Sequence, residues 1–167
     1  MDEKTILQER AQSIVGRKDL QTEVDERKIT VVEFLLMPER YALEEKCISE
    51  VFFLKEITSI PGVPPFVMGV INLRGKIISV INLKSLFNLK DRGLTDLNKV
   101  IVIHNNNMKF GIVSDAIIGR KSISLSNLSP PPLTLNNNGS EFISGVTTDG
   151  LILLNASILL SSSKIIL

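Results

Sequence analysis

Side chains with catalytic or metal-binding chemistry are scarce in this chain, which has one cysteine, Cys47, and one histidine, His104, among 167 residues. The single cysteine excludes an internal disulfide, and we expect a small buried thiol in a reducing compartment. One cysteine and one histidine cannot supply the ligand set of a zinc site. A Cys–His nucleophile pair needs a third, orienting group, and no local motif nominates one. The sequence therefore favours neither metal-dependent nor thiol-based chemistry.

An excess of one charge is also lacking. The 19 lysines and arginines nearly balance the 18 aspartates and glutamates, for a net charge of +1, so we expect no nucleic-acid partner. No apolar run reaches the roughly 18 residues of a membrane span, and charges throughout the N-terminus argue against a secretion signal. Gly62, Gly69 and Gly75 are too far apart for a phosphate-binding loop. We expect a cytoplasmic protein with no cofactor and no direct membrane insertion.

The composition favours a β-rich interior. Apolar residues make up 44% of the chain and aromatic residues 5%, and valine, isoleucine and leucine dominate the apolar set. Short apolar stretches alternate with turn signals, which predicts an all-β barrel or a barrel pair with minor helices. The predicted strands cover residues 29–37, 41–43, 48–54, 67–74, 76–82, 100–104, 109–114, 116–123, 142–147 and 151–155. Residues 83–89 and 156–163 have room for short helices, and no internal sequence repeat is convincing.

The N-terminal residues 1–17 predict an amphipathic helix. Its apolar face is formed by Leu7, Ala11, Ile14 and Val15. This helix either docks on its own domain or adds to a partner interface. Residues 18–28 are mostly charged and are typical of a linker or a solvated extension. The predicted organisation is therefore a helix and linker over 1–28, followed by a β-domain over 29–163.

The most informative stretch is residues 61–83, PGVPPFVMGVINLRGKIISVINL. Its prolines fix φ and lack a backbone donor, so we expect a rigid approach to the strand that follows. Gly75 permits the positive φ of a tight reversal, and a second strand begins immediately afterwards. The predicted turn presents Arg74. This side chain is either a solvated turn charge or a recognition arginine on a stiff scaffold.

The stretch 48–54 is apolar on both strand faces. Its apolar side chains include Ile48, Val51, Phe52 and Phe53. Exposed apolar patches commonly mark partner interfaces. The pattern fits equally well a strand with one face in the core and the other under a loop or helix, so both interpretations stay open.

Several short motifs occur along the chain in a characteristic order. They are Tyr41-Ala42-Leu43, Glu50-Val51, Ile57 to Pro61, Gly69-Val70 through Arg74-Gly75, Gly111 to Asp115, Gly145-Val146 and Asp149-Gly150. Together, from about Ile29 to Leu160, they resemble CheW-like proteins, the coupling proteins of bacterial chemotaxis. The resemblance implies an all-β fold of two SH3-like barrels packed around a shared apolar core.

The resemblance also implies a function. CheW-like proteins are non-enzymatic scaffolds that join methyl-accepting chemoreceptors to the histidine kinase CheA, whose regulatory domain has the same fold. They are cytoplasmic and are recruited to membrane-bound receptor arrays. The expected partners are therefore the helical hairpin at the cytoplasmic tip of a receptor and the CheA regulatory domain. No kinase-contact residue is assigned.

Four residues match the receptor groove of the family: Ile48, Glu50, Arg74 and Val100. A helix that lies in an apolar groove gains affinity from a few anchors. We expect Ile48 and Val100 to supply apolar area. We expect Glu50 and Arg74 to set the register through polar contacts more than to add affinity.

Two departures from the family pattern replace a common acidic residue by an amide, at Asn82 and Asn155. Each keeps a hydrogen-bonding side chain. The alternative function is an enzyme or a small-ligand binder built on a β-barrel pair. A deep polar pocket with His104 or Cys47 would favour that alternative, whereas a shallow apolar groove beside Arg74 would favour the scaffold.

Overall fold

The computed structural model describes residues 27–90, 93–94, 97–131, 139–163 and 165. The helix predicted over residues 1–17 and nearly all of the linker to residue 28 lie outside the described residues. The predicted domain boundary after residue 28 therefore stays a prediction.

Ten strands and two short α-helices form the described part of the chain. The strands are β1 (Lys28–Leu36), β2 (Glu39–Glu44), β3 (Ile48–Phe53), β4 (Val67–Leu73), β5 (Lys76–Ile81), β6 (Lys99–His104), β7 (Lys109–Ser114), β8 (Ala116–Ser124), β9 (Ile143–Val146) and β10 (Ile152–Leu154). The helices are α1 (Leu83–Leu86) and α2 (Ala156–Ser161). Each strand matches a stretch that the alternation of apolar residues predicts, and both helices are shorter than the room available.

The strands form two five-stranded sheets, with the orders β8-β1-β2-β10-β9 and β3-β6-β7-β5-β4. Each sheet is closed by an isolated bridge between one edge strand and the chain segment that follows the other edge strand. Ser129 pairs with Val146 in the first sheet, and Thr58 pairs with Val70 in the second. These closures make two small barrels, named here the first and the second barrel in that order. The predicted fold of two barrels with minor helices is confirmed.

The two barrels exchange strands. The first barrel combines β1 and β2 with β8, β9 and β10, whereas the second combines β3, β4 and β5 with β6 and β7. A shift of five strands along the chain converts one strand order into the other. The chain is thus a structural duplication, β1–β5–α1 and β6–β10–α2, although its sequence shows no convincing repeat.

Three apolar clusters correspond to this arrangement. Each barrel has a small interior cluster, and the largest cluster lies between the barrels. This inter-barrel core takes side chains from both sheets, such as Phe34 and Tyr41 from the first and Ile101 and Ile112 from the second. Aromatic rings stack through it, with 6.2 Å between the centroids of Phe34 and Tyr41. The barrels therefore share a core, as the sequence resemblance implies.

Closure of the second barrel requires a glycine at position 69. A Cβ atom there would lie 2.2 Å from the carbonyl oxygen of Thr58, the residue that bridges to β4, and φ is +147°. Gly119 has nearly the same φ, +148°, but a Cβ there would meet nothing within 4 Å. An alanine at either position therefore meets the same backbone strain, and only an alanine at position 69 also meets a steric clash.

We predict that Gly69→Ala lowers the free energy of unfolding by at least about 2 kcal/mol more than Gly119→Ala, because only the first change forces the closing strands apart. Urea unfolding followed by circular dichroism measures the difference. Equal losses in the two variants would contradict the close approach at Thr58.

Candidate functional site

The turn between β4 and β5 holds an arginine in an unusual backbone conformation. Arg74 has φ of 52° and Gly75 has φ of 86°, so both central residues of the turn are left-handed. The amide oxygen of Asn72 accepts a hydrogen bond from the backbone N–H of Gly75 at 2.8 Å. The glycine is the residue that the sequence predicts to adopt positive φ. The left-handed arginine is unexpected, because a Cβ atom disfavours this conformation.

The Arg74 side chain is engaged by Glu50 on β3. Its two terminal nitrogens donate to the two carboxylate oxygens at 2.9 and 2.7 Å, the bidentate geometry that suits a guanidinium and a carboxylate. The Arg74 side chain is 72% exposed and that of Glu50 is 23% exposed. The hydrogen bond from Arg74 lowers the pKa of Glu50, and the same bond raises the pKa of Arg74. Arg74 is therefore an oriented charge rather than a freely solvated one.

A pocket of about 310 Å³ opens beside this ion pair. It lies between β3 and the β4–β5 hairpin, the two edges of the second barrel. Its apolar lining residues are Phe52, Ile71 and Leu73, and its polar lining residues are Glu50, Lys55, Glu56, Asn72 and Arg74. The ion pair thus forms part of the rim of a partly apolar pocket, which is the arrangement that favours a scaffold over an enzyme.

A β-bulge separates two of the predicted site residues. Ile48 pairs with Ile103, whereas Glu50 pairs with Val102, and the register shifts between them. In a regular strand Ile48 and Glu50 would share a face, but the extra residue, Ser49, places them on opposite sides. Ile48 consequently packs against the inter-barrel core, while Glu50 lines the pocket. The structure does not place these two side chains in one groove.

The expectation that Val100 offers apolar area to a partner requires correction. Its side chain has 0% exposure and belongs to the interior of the second barrel. The physical reason is its position on β6, which lies between β3 and β7 and pairs there with Phe52 and Val113. Val100 therefore supports the wall of the pocket from inside and presents no surface.

The two faces of β3 have different surroundings. Val51 and Phe53 are 38% and 52% exposed, and the ammonium of Lys99 lies 4.8 Å from the centre of the Phe53 ring. Phe52 is half-buried and packs against the interior of the second barrel. One face of the strand therefore borders the barrel interior, and the other keeps apolar side chains at the surface.

Some pocket residues are missed by sequence reasoning. Ile71 and Leu73 share one strand parity, which gives a usable signal for a common face. Val67 has the same parity, but a bulge between Val67 and Gly69 turns it to the inter-barrel core instead. Lys55 and Glu56 lie between β3 and the Thr58 bridge, and no local pattern distinguishes them from other surface charges. They join the pocket through the closure of the barrel.

In the described part of the chain no hydrogen bond joins Cys47 to His104, although the pairing of Ile48 with Ile103 brings their segments side by side. A polar pocket of about 220 Å³ includes Cys47, but none of its lining residues in the described part of the chain is a histidine. Burial raises the pKa of the Cys47 thiol, which disfavours the nucleophilic thiolate. Among the described residues there is also no group of three or more His, Cys, Asp or Glu side chains that could hold a metal ion.

The two amides that replace family acids cap the helices. The side-chain oxygen of Asn82 accepts a hydrogen bond from the N–H of Lys84 at 3.0 Å. That of Asn155 accepts one from Ile158, also at 3.0 Å. Asparagine is among the strongest N-cap residues, so both departures keep a structural role.

Comparison with known proteins gives the family. A family model for the CheW-like domain matches residues 30–164. The chain belongs to the CheW-like family. This membership confirms the predicted assignment to a chemotaxis scaffold and gives no support to the enzyme alternative.

Relatives and a solved structure agree with the family model. The chemotaxis protein CheW of Treponema pallidum is 30% identical over 149 residues, with 85% of this chain and 88% of that protein covered. The chemotaxis protein CheW of Klebsiella aerogenes is 29% identical, with 80% and 82% covered. The crystal structure of the scaffolding protein TtCheW from Thermoanaerobacter tengcongensis superposes with a TM-score of 0.72 at 32% identity, covering 83% of this chain and 91% of that one.

No helix in the described part of the chain has the length and apolarity for a membrane crossing.

We predict that Arg74→Gln raises the pKa of Glu50 towards its ordinary value of 4.5. The pKa is depressed in the folded protein, so the ion pair stabilises the fold above pH 4.5 and this contribution is lost as the pH falls through the lowered pKa. A carbon-13 NMR titration of the Glu50 carboxyl group measures the change. As a control, Arg120→Gln removes another exposed arginine and should leave the Glu50 titration as it is. An unchanged Glu50 pKa in Arg74→Gln would contradict the assigned cause.

Proposed function

We propose that this protein couples a methyl-accepting chemoreceptor to the histidine kinase CheA, and that the receptor docks at the Glu50–Arg74 pair. The observation that carries the proposal is this bidentate ion pair, which a stiff turn presents at the rim of a partly apolar pocket. Family membership and the scaffolding protein TtCheW support the general role.

The receptor tip is a helical hairpin, and its surface can meet the pocket with one apolar side chain. Apolar anchors provide most of the affinity when a helix lies against a groove. The ion pair fixes the register of the helix, because charges at a rim contribute more to orientation and specificity than to affinity. Its bidentate geometry limits the rotation of the guanidinium, so a partner meets an ordered rim.

Ile48 contributes from the other side of β3. The bulge at Ser49 turns it towards the inter-barrel core, where it is only half-buried. Val51 and Phe53 are exposed on the same strand. A receptor helix that contacts both sides of β3 therefore meets Ile48 separately from the pocket. Val100 acts indirectly, through its packing beneath Phe52.

The second partner is the CheA regulatory domain, which in the family has the same double-barrel fold. Contacts between unlike ends of two such barrels are heterologous, and heterologous contacts can close into rings. Recruitment to a receptor array at the membrane then follows from binding. In this proposal the receptor supplies the membrane attachment.

We predict that Arg74→Ala weakens capture by a soluble receptor cytoplasmic fragment about tenfold, because it removes the ordered charge from the rim of the pocket. Arg74→Asn gives the same loss while retaining a residue that tolerates the left-handed turn. Isothermal titration calorimetry measures affinity, and circular dichroism verifies the fold.

The matched control is Arg120→Ala. Arg120 forms an exposed ion pair with Glu45 at 2.5 Å and its side chain is 69% exposed, close to the value for Arg74. This variant should bind as the unaltered protein does.

For Ile48, Ile48→Thr tests the contact more cleanly than Ile48→Asp, because aspartate would place a carboxylate against the inter-barrel core. Full receptor affinity in Arg74→Ala and Arg74→Asn would remove the docking assignment.

A further inference from the structure

The structural duplication relates paired strand positions of one barrel to paired strand positions of the other. Strand pairing fixes the correspondence: Phe34 faces Tyr41 across β1 and β2, and Ile103 faces Phe110 across β6 and β7. One bulge in each barrel also corresponds, since it lies in the edge strand β8 or β3, opposite the residue that precedes Phe34 or Ile103. The two barrels therefore have two equivalent mouths, each lying between an edge strand and a hairpin turn.

The mouth of the second barrel is the pocket beside Arg74. Phe52 lines it from β3 and Ile71 from β4. Val102 lies in the barrel interior and pairs with Glu50 at the rim. Arg74 directly precedes the left-handed glycine of the turn. An apolar wall and interior with a charged rim thus characterise this mouth.

The mouth of the first barrel carries charges at the equivalent positions. By strand register, Glu33 corresponds to Val102 and Lys121 to Phe52. Asp149 precedes the left-handed Gly150 of its turn, as Arg74 precedes Gly75. One apolar side chain that lines the open mouth and one in the interior behind it are therefore replaced by charged ones, and the residue before the turn glycine is an anion instead of a cation.

These charges are joined across the mouth of the first barrel. The guanidinium of Arg40 lies 2.8 Å from the carboxylate of Glu33 and donates to the backbone carbonyl of Asp149. The ammonium of Lys121 lies 3.4 Å from the Asp149 carboxylate and 3.9 Å from that of Glu33. Glu33 is buried, with 6% exposure. Two cations and two anions from β1, β2, β8 and the β9–β10 turn therefore occupy this end of the barrel.

The network is electrically neutral and internally satisfied. A buried carboxylate is costly unless it is paired, and Glu33 has two cations within reach. Hydrogen bonding from the Thr147 hydroxyl, followed by the contribution of Lys121, lowers the pKa of Asp149 to about 2. The Asp149 carboxylate therefore stays charged at neutral pH, and an apolar side chain that entered this mouth would have to displace the paired groups.

We propose that Glu33, Arg40, Lys121 and Asp149 determine docking specificity by closing the mouth of the first barrel, so that of two equivalent mouths only the one beside Arg74 accepts a partner. The occupant is one uncharged apolar side chain, because the charges at the open rim, Glu50 with Arg74 and Lys55 with Glu56, balance each other. The identity of that partner as the receptor hairpin rests on the proposed function, whereas the closure of the first mouth does not.

Indole tests the proposal without a receptor, because it is a neutral apolar probe about the size of an aromatic side chain. Titration into the unaltered protein, followed by proton–nitrogen correlation NMR, should give saturable shifts for the amides of Phe52, Ile71 and Leu73. The amides of Lys121 and Thr147 should not shift. Shifts of equal size at both mouths, or none at the mouth beside Arg74, would overturn the proposal.

A double variant tests which residues close the mouth. Glu33→Val with Lys121→Phe copies Val102 and Phe52 into the first barrel, and indole should then shift the amides of Ser122 and Thr147 at least about fivefold more than in the unaltered protein. Glu45→Val with Arg120→Phe makes the same chemical changes at an ion pair outside the mouth and should leave indole binding unaltered. A folded double variant whose first mouth still excludes indole would overturn the assignment.

The receptor fragment separates this inference from the proposed function. If indole selects the open mouth but the fragment does not bind, the proposed partner is wrong and the closure stands. If the fragment binds but indole enters both mouths equally, the closure is wrong and the partner stands. Because the double variant opens the first mouth, it should bind two equivalents of indole, one at each mouth.

Discussion

Strand exchange between the two halves of the chain is the constraint on which the rest of the structure depends. The first barrel needs β1 and β2 from the first half together with β8, β9 and β10 from the second, and the second barrel has the reverse composition. Neither barrel can close from one half alone. The exchange also brings apolar side chains of both sheets together between the barrels, where they form the largest core cluster. Burial of this surface holds the barrels in one orientation.

A fixed scaffold explains how a turn can hold an oriented arginine. The β4–β5 hairpin is held along one edge by β7, which pairs with β5, and along the other by the bridge from Thr58 to Val70. Arg74 therefore keeps a left-handed backbone that an isolated hairpin would disfavour. Glu50 comes from the opposite edge of the same barrel and fixes the guanidinium. The chemistry at the rim is consequently a property of the closed barrel rather than of the turn sequence.

The duplication shows that two barrels of the same architecture can present different chemistry at their mouths. Both barrels share strand register, a bulge in the edge strand, a bridge that closes the sheet and an asparagine cap after the last strand. They differ in a few side chains at the mouth. In one barrel these leave a partly apolar pocket, and in the other they form a network of ion pairs. The difference between the mouths therefore lies in local chemistry added to a repeated scaffold.

The sequence predicts local features well because they depend on local physics. Alternating apolar residues locate the strands, and the glycine after Arg74 locates the turn. The inward position of Val100 is not predictable in this way, because it depends on strands that pair from both halves. The bulge at Ser49 likewise places Ile48 and Glu50 on opposite faces of β3, and no local sequence signal marks it. The ion pair between Glu50 and Arg74 joins residues 24 positions apart and arises only when the barrel closes.

The most direct measurement of the central claim, that this double barrel couples two proteins and carries out no chemistry of its own, is a reconstitution with a receptor cytoplasmic fragment and CheA. Co-sedimentation reports assembly, and CheA autophosphorylation reports coupling. The account predicts that all three proteins sediment together and that phosphorylation is stimulated only when all three are present. Equal stimulation by the receptor fragment and CheA without this chain would contradict the account.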